Sequence, residues 1–149
     1  MGRGQFCARM RQGEGVKKFV TAAVLLMLGA AGLFNGIALV SDPDGGTLGL
    51  SVDMLPEWHT WDYRYAGAFV LVALGIAPLV CAAAVIVDIP GARVFAGVVG
   101  IVAVGWTLWQ YLVLDIWAPR AYTGLTLLGI LLAVGGVDAM VRGRRRAER

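Results

Sequence analysis

The stretch that decides the fold is Phe19–Val40, FVTAAVLLMLGAAGLFNGIALV, in which no residue is charged. An α-helix rises about 1.5 Å per residue, so about 20 apolar residues cross the roughly 30 Å hydrocarbon core of a bilayer. Three similar runs follow at Ala66–Val87, Val94–Leu114 and Ala121–Val141, and within the four runs only Asp138 is charged. The sequence therefore predicts an all-α, polytopic membrane protein, a bundle of four antiparallel transmembrane helices.

Composition supports this class of protein. Apolar residues make up 58% of the 149 residues and charged residues only 15%, whereas soluble domains carry about 25% charged residues. Four spans leave no room for a separate soluble domain, so we expect a single membrane domain over residues 1–149.

Charge is segregated along the chain. The predicted tails, residues 1–18 and 142–149, are rich in Lys and Arg, whereas the long first loop, residues 41–65, is acidic apart from Arg64. Lys and Arg near span ends stay in the cytoplasm, so we expect both termini inside a bacterial cytoplasmic membrane and the first loop outside. Basic tails are also typical of segments that bind nucleic acid or anionic lipid. Topology explains them without nucleic acid, which leaves membrane lipids as expected partners.

The first run has an alternative interpretation as a secretory signal peptide. Lys17 and Lys18 would form its basic region, and Gly29-Ala30-Ala31 resembles a cleavage site. The apolar run continues to Val40, however, and a signal sequence has only about 7–15 apolar residues. This length favours an uncleaved span, although the charge pattern is compatible with either interpretation.

Small residues recur one helical turn apart in every span, beginning with Gly32-x-x-x-Gly36 in the first. Such spacing lets helix backbones approach closely, and close contact drives helix association in lipid. One pair of this kind is a weak sign of dimerisation, and its recurrence in all four spans favours packing within one bundle. Pro78 lies in the middle of the second span, lacks an N–H, and is expected to kink that helix.

Cysteine and histidine usage predicts neither a metal nor another cofactor. Cys7 lies in the first tail and Cys81 within the second span, so we expect no disulfide between them. The chain has no C-x-x-C pair and a single histidine, which gives no ligand cluster for a metal or haem. No motif marks a catalytic residue.

Aromatic and polar side chains gather in the outer half of the predicted bundle. All tryptophans and tyrosines fall there, where they either anchor the protein among the lipid headgroups or line an outer pocket. Three polar residues of the spans lie at a similar depth, as interhelical hydrogen-bonding groups or as part of a ligand site. The candidate ligand-binding residues are Asn35, Trp58, Trp61, Trp106, Trp109, Gln110 and Thr126.

The first loop carries signals that favour an ordered cap over the bundle. Asp42-Pro43-Asp44-Gly45-Gly46 is strong turn sequence, and the apolar residues after it need a surface to cover. Trp58 and Trp61 reach the tryptophans of the third span only if the loop lies flat on the bundle. A small hydrophobic or cationic guest between cap and helices is then expected. The apolar residues are Leu48, Leu50, Val52, Met54 and Leu55.

The segment DPDGGTLGLSVDMLPEWHTWDYRYAGAFVLVALGIAPL (residues 42–79) resembles a widespread family of small, uncharacterised bacterial membrane proteins with four spans. The third-span piece GWTLWQYLVLDIW resembles the same family through Gly105 and Trp106, but Gln110 stands where a glutamate is expected. The resemblance implies the topology and no chemistry. The first segment matches at Asp42, Pro43, Gly45, Leu48, Gly49, Leu50, Tyr63 and Gly67.

Three classes of function remain open. The leading one is a non-enzymatic accessory or interaction subunit, with a partner subunit or a second copy, or a binder of a small ligand at the outer face. Small four-span exporters use a carboxylate deep in the first span, where this chain has only Asn35, which argues against a transporter. A membrane enzyme would have to use the outer-loop cluster Glu57, His59 and Asp62.

Overall fold

The described part of the chain is a bundle of four helices. A computed structural model describes residues 3–55, 62–112 and 119–147, and the backbone alone of residues 3–12, 54, 119–122 and 146–147. The helices are α1 (Arg3–Ser41), α2 (Arg64–Ile86), α3 (Ala92–Leu112) and α4 (Pro119–Ala147).

All four helices are long and apolar enough to cross a membrane, which confirms the predicted fold. The membrane-spanning parts of α1 and α4 are Gly13–Ser41 and Thr123–Arg145, and α2 and α3 qualify over their whole length. The predicted tails continue α1 and α4 as helix beyond these segments. The chain is therefore a multi-pass membrane protein.

α1 and α2 form a hairpin held by backbone contact at glycine. A Cβ atom added to Gly32 would lie 2.0 Å from the carbonyl oxygen of Leu74. One added to Gly36 would lie 2.6 Å from the Cα of Leu71. The Gly32-x-x-x-Gly36 pair thus packs within the bundle, as the sequence predicted, and Gly29 of the suspected cleavage site lies against Leu79 in the same interface.

α3 and α4 form a second hairpin by the same means. A Cβ atom on Gly100 would lie 2.4 Å from the carbonyl oxygen of Gly129, and one on Gly136 would lie 2.5 Å from the Cα of Gly97. A common core joins the two hairpins, and α2 and α4 occupy opposite corners of the described bundle. Buried core members from the four helices include Leu25, Leu28, Leu74, Cys81, Ala96, Ala103 and Leu132.

A π-helical stretch, Val70–Ile76, interrupts α2 directly before its proline. Pro78 has no N–H, so the carbonyl of Leu74 loses the donor it would have in an α-helix. The Ala77 N–H donates to the Val72 carbonyl, five residues back, and α-helical geometry resumes over Ala77–Ile86. The sequence predicted the missing hydrogen bond at Pro78 but not the π-helical turns that accompany it.

A tight turn joins α2 to α3. Asp88 and Gly91 both have left-handed backbone conformations, with φ of 58° and 85°. The turn lies at the end of the bundle that carries both tails, here called the terminal end. The opposite end, where α1 stops and α2 begins, is called the loop end. The other short connection predicted, Asp115–Arg120, lies mostly outside the described residues.

Candidate functional site at the loop end

A hydrogen-bonded turn stops α1 at Asp42. Its carboxylate accepts bonds from the Thr47 hydroxyl at 2.8 Å and from the Thr47 N–H at 2.7 Å. These bonds, the hydroxyl one foremost, hold the pKa of the Asp42 carboxyl below its ordinary value of 3.8. Gly45 and Gly49 adopt φ of 82° and 68°, which glycine tolerates without strain.

Tyr63 fastens the far end of the loop to this turn. Its N–H donates to the Pro43 carbonyl at 3.0 Å, and its hydroxyl donates to the Ser51 carbonyl at 3.1 Å. Its side chain is only 3% exposed, and this burial raises the pKa of Tyr63 above 10.0. Its ring belongs to a small separate core with Leu39, Leu48, Leu50 and Leu55.

The predicted ordered loop is therefore present in residues 42–55 and 62–63, here called the cap. Its interior is filled by its own side chains: a Cβ atom on Gly45 would lie 2.7 Å from Leu50 and 3.2 Å from the Tyr63 ring. This part of the cap is a packed core and not a ligand cavity. Trp58 and Trp61, which were expected to rest on the bundle, lie outside the described residues. Sequence reasoning did not single out Tyr63 as the anchor.

Trp106 lies between the hairpins in the loop half of the bundle. Its ring packs on that of Phe69 in α2, with ring centroids 4.7 Å apart and planes inclined by 31°. Trp109 is half exposed, whereas Gln110 and Thr126 are half buried. The aromatic partner found for Trp106 is thus a residue of α2, which the sequence had not proposed.

Asn35 points away from the bundle. Its side chain is exposed, and its amide nitrogen donates to the Ala31 carbonyl of the same helix at 2.8 Å. The structure therefore does not join Asn35 to Gln110 and Thr126 in one hydrogen-bonded layer, because the face of α1 that carries it turns outward. Ligand binding by these residues stays a prediction.

One face of α1 changes its surroundings along its length. Lys17, Val24 and Leu28 lie on it at helical spacing: Lys17 pairs with Asp138 of α4 at 3.1 Å, Val24 packs on the core, and Leu28 is 1% exposed. Ala31 and Asn35 continue the same face and are exposed. This face contacts α4 and the core in the terminal half and is open in the loop half.

Ion pairs fix the terminal end. Arg142 pairs with Asp138 at 2.9 Å, as the spacing of four residues predicted. Lys17 also pairs with Asp138, and Lys18 pairs with Asp88 of the α2–α3 turn. These two contacts join residues far apart in the chain, so no sequence spacing signalled them. They tie α1 to α4 and to the α2–α3 turn at this end.

Only Asp62 of the proposed acid–base cluster lies among the described residues. Asp62 accepts a bond from the Arg64 N–H at 3.0 Å, an arrangement that orders the start of α2. Glu57 and His59 lie outside the described residues. Over the described ranges, no group of three or more His, Cys, Asp or Glu side chains is placed to hold a metal ion.

Comparisons with protein-family models, with curated proteins and with solved structures found no match to this chain. Membership of the four-span family that the sequence resembles therefore stays a prediction.

Proposed function

We propose that this chain is a non-enzymatic interaction subunit of a bacterial cytoplasmic membrane. In this proposal the loop half of α1 binds another membrane helix, and the cap lies outside the cell next to that contact. Both termini are assigned to the cytoplasm because Lys and Arg gather at the terminal end and acidic residues gather in the first loop.

The observation that carries the proposal is the exposed Asn35. This residue lies six positions before the end of α1, which is about 9 Å along a helix and within the apolar run. An amide offers two donors and one acceptor oxygen, and only one donor is used by Ala31. Lipid tails cannot bond the remaining groups, so polar side chains at this depth usually face protein.

The surroundings of Asn35 favour a helix as its partner. Ala31, one turn away, is small and exposed, so the backbone of another helix can come close. Hydrogen bonds between membrane helices contribute on average about 0.6 kcal/mol and at most about 1.7 kcal/mol. Because an amide is both donor and acceptor, a second copy of the chain would satisfy Asn35 as well as a different subunit would.

The cap adds a second contact surface to the proposal. Its interior is packed, so it acts through its exterior, where Asp44 and Asp53 are exposed. A partner with basic residues just outside the membrane would complement this surface.

Photo-crosslinking tests the proposal in native membranes. A photoreactive amino acid at Ala31 lies on the same exposed face and leaves Asn35 intact. We expect a protein adduct from this position, lost in Asn35→Leu and retained in Asn35→Gln, which keeps the amide. The matched control is the same amino acid at Leu127, which is 58% exposed in the loop half of α4. Adducts with lipid alone at Ala31 would refute the proposal.

Small-ligand binding at the outer face is the second candidate. The observation that favours it is Trp109, half exposed beside the half-buried Gln110 on α3. Aromatic faces bind cations and apolar groups, and a neighbouring amide would orient them. If this candidate is right, Trp109→Ala abolishes binding of the small ligand. The photoreactive amino acid at Ala31 then forms adducts with lipid alone.

A further inference from the structure

A cavity of about 590 Å³ opens at the terminal end of the bundle, opposite the cap. Its walls come from the α2–α3 turn, the first residues of α3 and the last turns of α4, and Glu14 of α1 also lines it. The left-handed conformations of Asp88 and Gly91 shape the turn that forms one wall. Both hairpins therefore contribute to one cavity at the level where the membrane-spanning helices end.

Three arginines line this cavity from two helices. Arg93 comes from the start of α3, and Arg142 and Arg144 come from the end of α4. Arg142 is paired with Asp138, whereas neither Arg93 nor Arg144 has a carboxylate partner among the residues that the structure describes. Of the two acidic residues in the lining, Asp88 is paired with Lys18. The cavity is thus lined by two guanidinium groups that belong to none of the ion pairs of the described residues, and Glu14 lines it as well.

The rest of the lining is largely apolar. Val85, Ile89, Val94 and Met140 lie in the same walls as the arginines. A site lined by cationic groups and by apolar side chains matches a molecule with a charged head and a hydrocarbon body. The N-terminus of α3 faces the cavity and adds a favourable dipole for negative charge.

We propose that this cavity binds the phosphate of an anionic phospholipid headgroup, held by Arg93 and Arg144. Guanidinium groups bind phosphate oxygens through two parallel N–H donors, which makes arginine well suited to this role. Basic pockets between membrane helices at this level bind anionic lipid heads in other proteins. The apolar wall receives the first part of the lipid chains and separates this ligand from a soluble phosphate compound. The site is independent of the proposed partner at Asn35, which lies at the other end of the bundle.

The test is lipid titration of the full-length protein, purified and delipidated in a neutral detergent. Binding is followed by native mass spectrometry with phosphatidylglycerol, with zwitterionic phosphatidylcholine and with inorganic phosphate. The test variant is Arg93→Gln/Arg144→Gln. The matched control is Arg145→Gln, which removes a basic residue of the same helix end that does not line the cavity. Circular dichroism of each variant without lipid checks that the fold is kept.

We expect phosphatidylglycerol to bind at least about tenfold more tightly than phosphatidylcholine, and this preference to disappear in the double variant. Arg145→Gln should keep it. If inorganic phosphate competes fully with phosphatidylglycerol, the phosphate site stands but its natural ligand is a soluble compound. Equal losses in the double variant and in Arg145→Gln would overturn the site, because the attraction would then belong to the basic tail as a whole.

Discussion

The two hairpins are built by the same contact but differ in what surrounds it. Each pairs antiparallel helices through glycines that admit no side chain, at Gly32 in the first hairpin and at Gly100 in the second. The first hairpin also carries the cap and the π-helical stretch, and 39% of its spanning windows is buried. In the second hairpin α3 has the same buried share of 39%, and only α4 is lower, at 17%. Over the described residues, glycine contact therefore pairs the helices of both hairpins, whereas the π-helical stretch is found in the first alone.

The largest expected effect comes from filling the glycine contacts. Gly32→Leu would place a side chain against the Leu74 carbonyl, and Gly100→Leu would do the same at Gly129. We expect each to cost about 3 kcal/mol or more, because backbone cannot move aside as a flexible side chain can. Thermal unfolding in detergent measures both. Gly135→Leu is the control, since nothing lies within 4 Å of an added Cβ there. If only one of the two leucine variants is destabilised, the glycine contact does not have the same importance in the two hairpins.

Removal of the cap anchor should come next. Tyr63→Ala empties the centre of the small core and is expected to cost about 3 kcal/mol of cap stability. Tyr63→Phe loses only the bond to Ser51, worth about 1 kcal/mol. Hydrogen exchange at the Leu48 and Leu50 amides, both bonded to the Gly45 carbonyl, reports on the cap. The α3–α4 hairpin should be unaffected in both variants, and unchanged exchange in Tyr63→Ala would contradict this account of the cap.

The aromatic contact between the hairpins should have a smaller effect. A double-mutant cycle with Phe69→Ala and Trp106→Ala is expected to give a coupling energy of about 0.5–1.5 kcal/mol. Thermal or denaturant unfolding of the four proteins supplies the values. Trp109→Ala, whose ring is half exposed, should show no coupling to Phe69. A coupling near zero for Trp106 would mean that its contact with Phe69 does not stabilise the pairing of the hairpins.

The smallest effect is a pH dependence confined to the cap. The pKa of Asp42 is lowered on folding, so its contribution is present above 3.8 and is lost as pH falls through the lowered value. The pKa of Tyr63 is raised, so its contribution is present below 10.0 and is lost as pH rises through the raised value. Protection factors of the cap amides, which correct hydrogen exchange for its own pH dependence, should therefore fall at both extremes.

Two substitutions separate the limbs of that profile. In Asp42→Asn the loss of cap stability at acid pH should disappear, and in Tyr63→Phe the loss at alkaline pH should disappear. Asp44→Asn leaves the bonds to Thr47 in place and serves as the control. If the loss of cap stability at acid pH persists in Asp42→Asn, a group other than Asp42 causes it.

Features that depend on residues close together in the chain could be predicted from the sequence, and features that depend on contacts between distant residues could not. The four spans, the use of Gly32 in packing, the ordered loop and the Arg142–Asp138 pair all rest on composition or on spacing of a few residues. The direction of Asn35 depends on how α1 is rotated in the bundle, and the Lys17–Asp138 pair depends on the contact between the first and last helices. Neither is encoded in any local pattern. Tyr63 was hidden for a related reason, because its partners Pro43 and Ser51 lie far back along the loop.

The π-helical stretch keeps residues spaced by four on the side of α2 that contacts α1. Gly67, Leu71, Gly75 and Leu79 recur every four residues, and all four touch α1, at Leu39, Gly36, Gly32 and Gly29 in turn. In a helix of 3.6 residues per turn each step of four drifts sideways by about 40°, so three steps would carry Leu79 about 120° away from α1. Hydrogen bonds that span five residues widen the turn and cancel this drift. All four residues can therefore face α1, and deletion of one residue between Leu71 and Gly75 is expected to rotate Gly75 and Leu79 relative to it.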